Sequence, residues 1–194
     1  MFYGVLRLRT STPDDWLPIV LANFDEFLVD HAAAERKASA NALNLAMHYR
    51  DRSELVAAMV DLAHEELTHF KQVFELMSER GLAFRKDERD PYIRGLLPHV
   101  RGRSSERLMD RMLVFGIVEA RGCERFGLVA EGLEPGPLKT FYLELTRAEA
   151  RHHGLFVRLA KLYFPRAEVD ARLDTLLDVE GELVQSLKSR AALH

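Results

Sequence analysis

Six polar residues interrupt apolar helical stripes in this chain, in a pattern that occurs twice. Glu35 is followed by Glu66 and His69, and Glu119 by Glu149 and His152, at nearly equal intervals. Each Glu-x-x-His pair is spaced i, i+3, so on a helix both side chains leave the same face. One such pair arises readily by chance on a charged helix. Two in matching register, each with a lone Glu upstream, constrain the fold strongly: the segments must be helices, and those faces must be buried together.

The amphipathic pattern predicts helices at about 14–48, 53–80, 104–131 and 136–164, with a shorter fifth at about 167–190. Ala, Leu, Glu and Arg are abundant, β-branched runs are few, and no period-two alternation competes with helix. Thr12-Pro13-Asp14-Asp15 is a helix start, Ser53-Glu54 opens the second segment and Gly81 closes it. Ser104 or Ser105 opens the third; Gly132 and Pro135-Gly136-Pro137 part it from the fourth, which Pro165 ends.

The core faces then read as four stripes. The first is Phe24, Leu28, His31, Glu35, Ala38, Ala42 and Leu45; the second is Leu55, Met59, Leu62, Glu66, His69, Val73 and Leu76. The third is Leu108, Met112, Phe115, Glu119, Gly122, Phe126 and Val129; the fourth is Leu138, Tyr142, Leu145, Glu149, His152, Phe156 and Leu159. A carboxylate in such a stripe is expensive to bury unless it is paired or bound to a metal. Two ferrous ions would neutralise the four carboxylates. Oxygen-rich ligation with two imidazoles suits iron or manganese better than zinc, whose structural sites favour Cys and His. By analogy with carboxylate-bridged helical bundles, Glu66 and Glu149 are expected to bridge the metals, with Glu35 and Glu119 terminal.

Several neighbours need their own reading. His31 lies one turn before Glu35 and is either its hydrogen-bond partner or a packed histidine. His64, Glu65 and His153 fall off the stripes and read as surface or supporting groups. Glu124 reads as a helix-surface charge paired with a nearby Arg. Gly122 and Cys123 either leave room for oxygen or substrate, or let helices approach.

The links complete the fold. A few residues around Tyr49-Arg50-Asp51-Arg52 join the first two segments, and a similarly short turn joins the third and fourth, whereas 81–103 form a long connection. This is an all-α chain with the connectivity of a ferritin-like four-helix bundle: two hairpins, one long crossover and an additional C-terminal helix. A length of 194 residues and 47% hydrophobic content suit one domain, 1–194, with a substantial core. The single cysteine, Cys123, excludes an internal disulfide and any CxxC knuckle. The N-terminus lacks the apolar core of a signal peptide, and no apolar run approaches a membrane span, so a cytoplasmic location is expected. A net charge of −3 argues against a generally basic nucleic-acid binder, while a local patch stays open.

A diferrous carboxylate site open on one face reacts with dioxygen. Where only iron arrives the result is a ferroxidase; where a C–H bond is held nearby it is a hydroxylase. The latter needs an external electron donor, since the chain has no flavin or iron–sulfur motif. The stretches 28–38 (LVDHAAAERKA), 64–70 (HEELTHF), 119–126 (EARGCERF) and 149–153 (EARHH) resemble the bacterial tRNA hydroxylases that act on 2-methylthio-N6-isopentenyl adenosine. The resemblance runs from about Trp16 to Tyr163, and its third stretch is the most specific. It implies hydroxylation of the isopentenyl group beside the anticodon, with two iron ions, dioxygen as co-substrate and two external electrons. All six of the family's ligand positions are filled, by Glu35, Glu66, His69, Glu119, Glu149 and His152.

A tRNA substrate needs a basic surface. The crossover carries more bases than acids, and 94–103 has no acid at all, so Arg94, Arg101 and Arg103 are the expected phosphate contacts. Tyr92 and His99 offer rings for base stacking. The competing reading is a ferritin-like ferroxidase or iron-handling protein, which would assemble into a cage. A monomer or small oligomer is expected instead. No segment is apolar enough to suggest membrane attachment, as a quinone-precursor hydroxylase would need.

Overall fold

The computed structural model describes residues 6–86 and 89–194, with the backbone alone for Ser104 and Ser105. The N-terminal residues 1–5 and the crossover acids Asp87 and Glu88 lie outside the described residues, as do the side chains of Ser104 and Ser105. Among the described residues there are seven α-helices and no strand: α1 (Trp16–Ala22), α2 (Phe24–His48), α3 (Ser53–Glu79), α4 (Pro91–Leu96), α5 (Ser104–Gly132), α6 (Pro137–Tyr163) and α7 (Arg166–Ser186). The order is that of the ferritin-like four-helix bundle, with α2–α3 and α5–α6 as the hairpins. Among the described residues no helix is long and apolar enough to cross a membrane.

Two compact units divide the chain: a smaller one, Ala22–Glu88 with Ala191–Leu193, and a larger one, Met1–Leu21, Arg89–Arg190 and His194. In the smaller unit α2 and α3 pair along their length. Leu55, Met59, Leu62, Val73 and Met77 of α3 are buried, as are Phe27, Leu28, Ala42 and Leu45 of α2. Buried Ser39 donates its hydroxyl hydrogen to the Ala63 carbonyl at 2.7 Å, which satisfies a polar group inside the seam. The α3 helix stops where expected. Gly81 takes φ +69°, its N–H reaches Ser78 O at 3.0 Å, and Leu82 N–H reaches Met77 O at 2.9 Å, a Schellman cap that a Cβ would strain.

The first predicted helix is two. Asn23, at φ −130° and ψ 45°, breaks the 14–48 segment between α1 and α2. The apolar period carries through the break, and neither Gly nor Pro marks it. The stripes also drift: Leu76, Phe24 and Ala38 are only half-buried, and Met77, Phe27 and Ser39 take their places at the core.

In the larger unit α5 lies close against α6. A Cβ on Gly116 would come within 3.3 Å of Phe156 Cβ and 3.4 Å of the His153 carbonyl, so any larger residue would push the two helices apart by a few tenths of an ångström. Pro137 opens α6 at its first turn. The crossover, expected as a loop, contains α4 and a 3-10 turn at Leu97–His99. Asp90 caps α4, accepting from Tyr92 N at 2.8 Å and Ile93 N at 3.2 Å.

The fifth predicted helix, α7, is held by buried charge. Arg121 of α5 sends two hydrogen bonds to Glu180 of α7, at 2.8 and 3.0 Å, and Tyr92 donates to the same carboxylate at 2.9 Å. The Arg121 guanidinium also binds Glu124 and the Thr10 carbonyl. A second network centres on Asp110, whose carboxylate takes Arg101 and Arg172. Burial alone would raise the Asp110 pKa; the two guanidinium groups outweigh it and pull it from 3.8 to about 2. A depressed carboxylate stabilises the fold above its unfolded pKa and loses that effect as pH falls through its folded one. Asp110→Asn is therefore expected to cost about 2 kcal/mol in urea unfolding at pH 7. The gap to wild type should close as pH falls from about 4 to about 2; a gap that stays constant there would contradict the ion network.

Candidate metal centre

Each unit carries one Glu, Glu-x-x-His triad. In the smaller unit Glu35 projects from α2, and Glu66 and His69 from α3. All three are buried among apolar side chains. His69 Nδ1 lies 3.2 Å from a Glu66 oxygen and 3.7 Å from a Glu35 oxygen. In the larger unit Glu119 projects from α5, and Glu149 and His152 from α6. His152 Nδ1 lies 3.5 Å from Glu149 and 4.0 Å from Glu119. Within each triad the donor atoms all lie within 4.8 Å of one another.

These spacings fit a shared cation. Donors bound to one ion at about 2.1 Å lie about 3 to 4 Å from each other. The donor set, carboxylates with one imidazole per triad and no thiolate, is that of an iron or manganese site.

Charge inside the smaller unit's triad is already arranged for a cation. Burial would raise the Glu35 pKa, but hydrogen bonds from His31 and His69 outweigh it and hold the carboxyl well below the ordinary range. Burial would lower the His69 pKa; Glu35 and Glu66 overcome it and push the imidazole up to about 9. Without metal, then, a proton on His69 supplies the positive charge that Glu35 and Glu66 require. A metal ion bound there would take the place of that proton.

His31 is the partner of Glu35 and not merely a packed ring: its Nε2 lies 2.7 Å from a Glu35 oxygen, and it is fully buried. That contact fixes the orientation of the carboxylate. His153 is also buried, with its pKa lowered by burial first and then by Arg158 and His152. The neighbours on α3 differ: His64 is exposed and Glu65 half-buried. Glu124 is half-buried and paired with Arg121, as its Arg-rich neighbourhood predicts.

The three crossover arginines part company. Arg94 and Arg103 are exposed, the first on α4 and the second before α5. Arg101 is bound to Asp110 at 2.7 Å and to Glu106 at 2.8 Å, so its charge is neutralised within the fold. Tyr92 is fully buried on Glu180 and offers no stacking face, whereas His99 is exposed. The Arg121–Glu180 pair has a sequence signal of its own. Glu180 interrupts the apolar stripe Val169, Leu176, Leu177, Val184 of α7 without a His three residues on.

A family model described as tRNA-(MS[2]IO[6]A)-hydroxylase (MiaE) matches residues 5–194. The chain belongs to the MiaE family. A tRNA 2-(methylsulfanyl)-N(6)-isopentenyladenosine(37) hydroxylase of Pseudomonas putida is 36% identical over 187 residues, which cover 96% of this chain and 91% of that protein. The enzyme of the same name from Salmonella typhimurium is 38% identical over 133 residues, 69% of this chain and 48% of the relative. Among solved structures, a Synechococcus protein with aldehyde deformylating oxygenase activity matches with a TM-score of 0.91 at 34% identity, covering 97% of this chain and 96% of its own.

For this MiaE-family chain the arginines can be told apart by stability. Arg101→Ala strips one partner from buried Asp110 and is expected to lower the melting temperature by roughly 3–6 °C. Arg94→Ala and Arg103→Ala should leave it unchanged. Thermal melts followed by circular dichroism check this; an Arg101 variant that melts like wild type would contradict the pairing.

Proposed function

We propose that this chain is a di-iron monooxygenase of tRNA. It hydroxylates the isopentenyl group of 2-methylthio-N6-isopentenyl adenosine next to the anticodon, with dioxygen and two electrons from an external donor. The observation that carries the reading is the duplicated donor set: two buried triads, identical in composition and register, on a chain whose family and relatives are named for this hydroxylation.

In this reading the two triads close on one pair of irons, and 1–194 works as a single di-iron domain. Glu35 and His69 would hold one iron and Glu119 and His152 the other, with Glu66 and Glu149 shared between them. The four carboxylates balance two ferrous ions, so the filled site is neutral in its apolar surroundings. Bound iron supplies the one-electron chemistry that dioxygen needs before it can attack an unactivated C–H bond. His31 holds the Glu35 carboxylate in place, and the apolar residues above and below the triads exclude water. One oxygen atom enters the product alcohol; the other leaves as water with two protons and the donor's two electrons. The donor is a separate reductase or ferredoxin-type protein, because the lone Cys123 cannot build an iron–sulfur centre. Arg94 and Arg103 are the proposed phosphate contacts on the tRNA, and their effect should weaken with salt.

The test is a reconstituted reaction: iron-loaded protein, a chemical or ferredoxin-type reductant, oxygen, and tRNA bearing the isopentenyl nucleoside. Nucleoside mass spectrometry is expected to show the isopentenyl nucleoside gaining one oxygen atom. Ferric iron accumulating over an unchanged nucleoside would replace this reading with a ferroxidase.

A further inference from the structure

Glycine inside a helix costs about 1 kcal/mol relative to alanine, so a buried one calls for a reason. The α5 helix has two buried glycines, Gly116 and Gly122, besides half-buried Gly127 and exposed Gly132, and for most of the four the reason is contact. A Cβ on Gly116 would press on Phe156 and the His153 carbonyl at 3.3 and 3.4 Å, and one on Gly132 would reach Leu21 at 3.0 Å. A Cβ on Gly127 would touch Thr146 at 3.7 Å. Gly122 differs. It is buried, its φ is not in the left-handed region, and apart from its two chain neighbours and the backbone of its own helix a Cβ there would meet no heavy atom of the described residues within 4 Å. Neither close packing nor backbone conformation explains this glycine. The position that a side chain would take there is open.

The position of that space gives it a use. Gly122 falls three residues after Glu119 on the same face of α5, between Phe115 and Phe126 of the stripe. Glu119 is also the most accessible of the six metal-site side chains, at 13% against 1% for Glu66. Protein interiors close around voids unless something occupies them, because atoms lining a gap lose their dispersion contacts.

The geometry points to Gly122 as a specificity-determining residue: the space above it receives the small branched apolar group that is oxidised. This rests on the proposed function for the identity of that group, the isopentenyl chain. The absent side chain sets how far the group can enter and which of its carbons comes to lie beside Glu119. The void itself is independent of that identity.

Two variants of the full chain, Gly122→Ala and Gly122→Leu, test it by three readouts. Xenon, which enters dry apolar cavities, is expected to bind wild-type protein without added iron and to be lost in Gly122→Leu. Thermal stability should rise in Gly122→Ala, since the methyl meets nothing and the helix gains. Iron content should match wild type in both variants, while hydroxylation of the isopentenyl nucleoside falls at least tenfold in Gly122→Leu and less in Gly122→Ala, or moves to another carbon. Wild-type xenon binding, rate and product in Gly122→Leu would overturn the proposal, as would a Gly122→Ala protein that melts lower than wild type. If Gly122→Leu does not fold, the Ala variant decides by its melting temperature and product distribution. Should wild-type protein leave the nucleoside untouched while the xenon and stability results hold, the space stands and the tRNA substrate fails.

Discussion

Carboxylates buried in an apolar helical core must be neutralised where they sit, because the solvation that a carboxylate loses there is worth several kcal/mol. Glu35, Glu66 and Glu149 are almost fully enclosed, and Glu119 nearly so. That demand organises the rest of the fold. It places a histidine one helical turn after Glu66 and another after Glu149, sets His31 against Glu35, and leaves His69 protonated while no metal supplies the charge. A helix hairpin with this face would be a poor core by itself. With a cation held between its carboxylates it becomes a sound one.

The same chain meets the same demand in another way on α7. Glu180 is as deeply buried as any metal-site carboxylate, yet its countercharge is Arg121, permanently cationic and bidentate, with Tyr92 donating to the same group. Asp110 is treated alike by Arg101 and Arg172. An arginine seals a carboxylate for good; a histidine at i+3 leaves a charge that a metal can exchange for a proton. The two kinds of carboxylate partner meet on α5, where Glu119 lies beside His152 of α6 and Arg121, two residues on, binds Glu180.

Local signals made most of this readable in the sequence. Ser53 and Gly81 bracket α3, Pro137 opens α6, and the doubled donor pattern marks both triads, since cap chemistry and helical period are properties of neighbouring residues. What escaped depends on distant partners or on geometry that no residue type advertises. Asn23 breaks the first helix without a glycine or proline. The α4 helix is too short to show a period, although Asp90-Pro91 is a fair start signal. Arg101 reads as a free cation in an acid-free stretch until Asp110 and Arg172 are placed beside it. His153 falls off the α6 stripe, yet it is buried because Gly116 brings α5 onto that flank as well. The relation between Arg121 and Glu180 spans two helices, and only the apolar stripe around Glu180 hints that it must have a partner.

The claim on which the function rests is that two triads, one from each unit, hold two irons together. Crystals of the iron-loaded protein, measured on either side of the iron absorption edge, address it directly. Two anomalous peaks about 3.5–4 Å apart are expected, one beside Glu35 and His69 and the other beside Glu119 and His152, with Glu66 and Glu149 between them. A single peak, or two peaks bound away from these six residues, would contradict it.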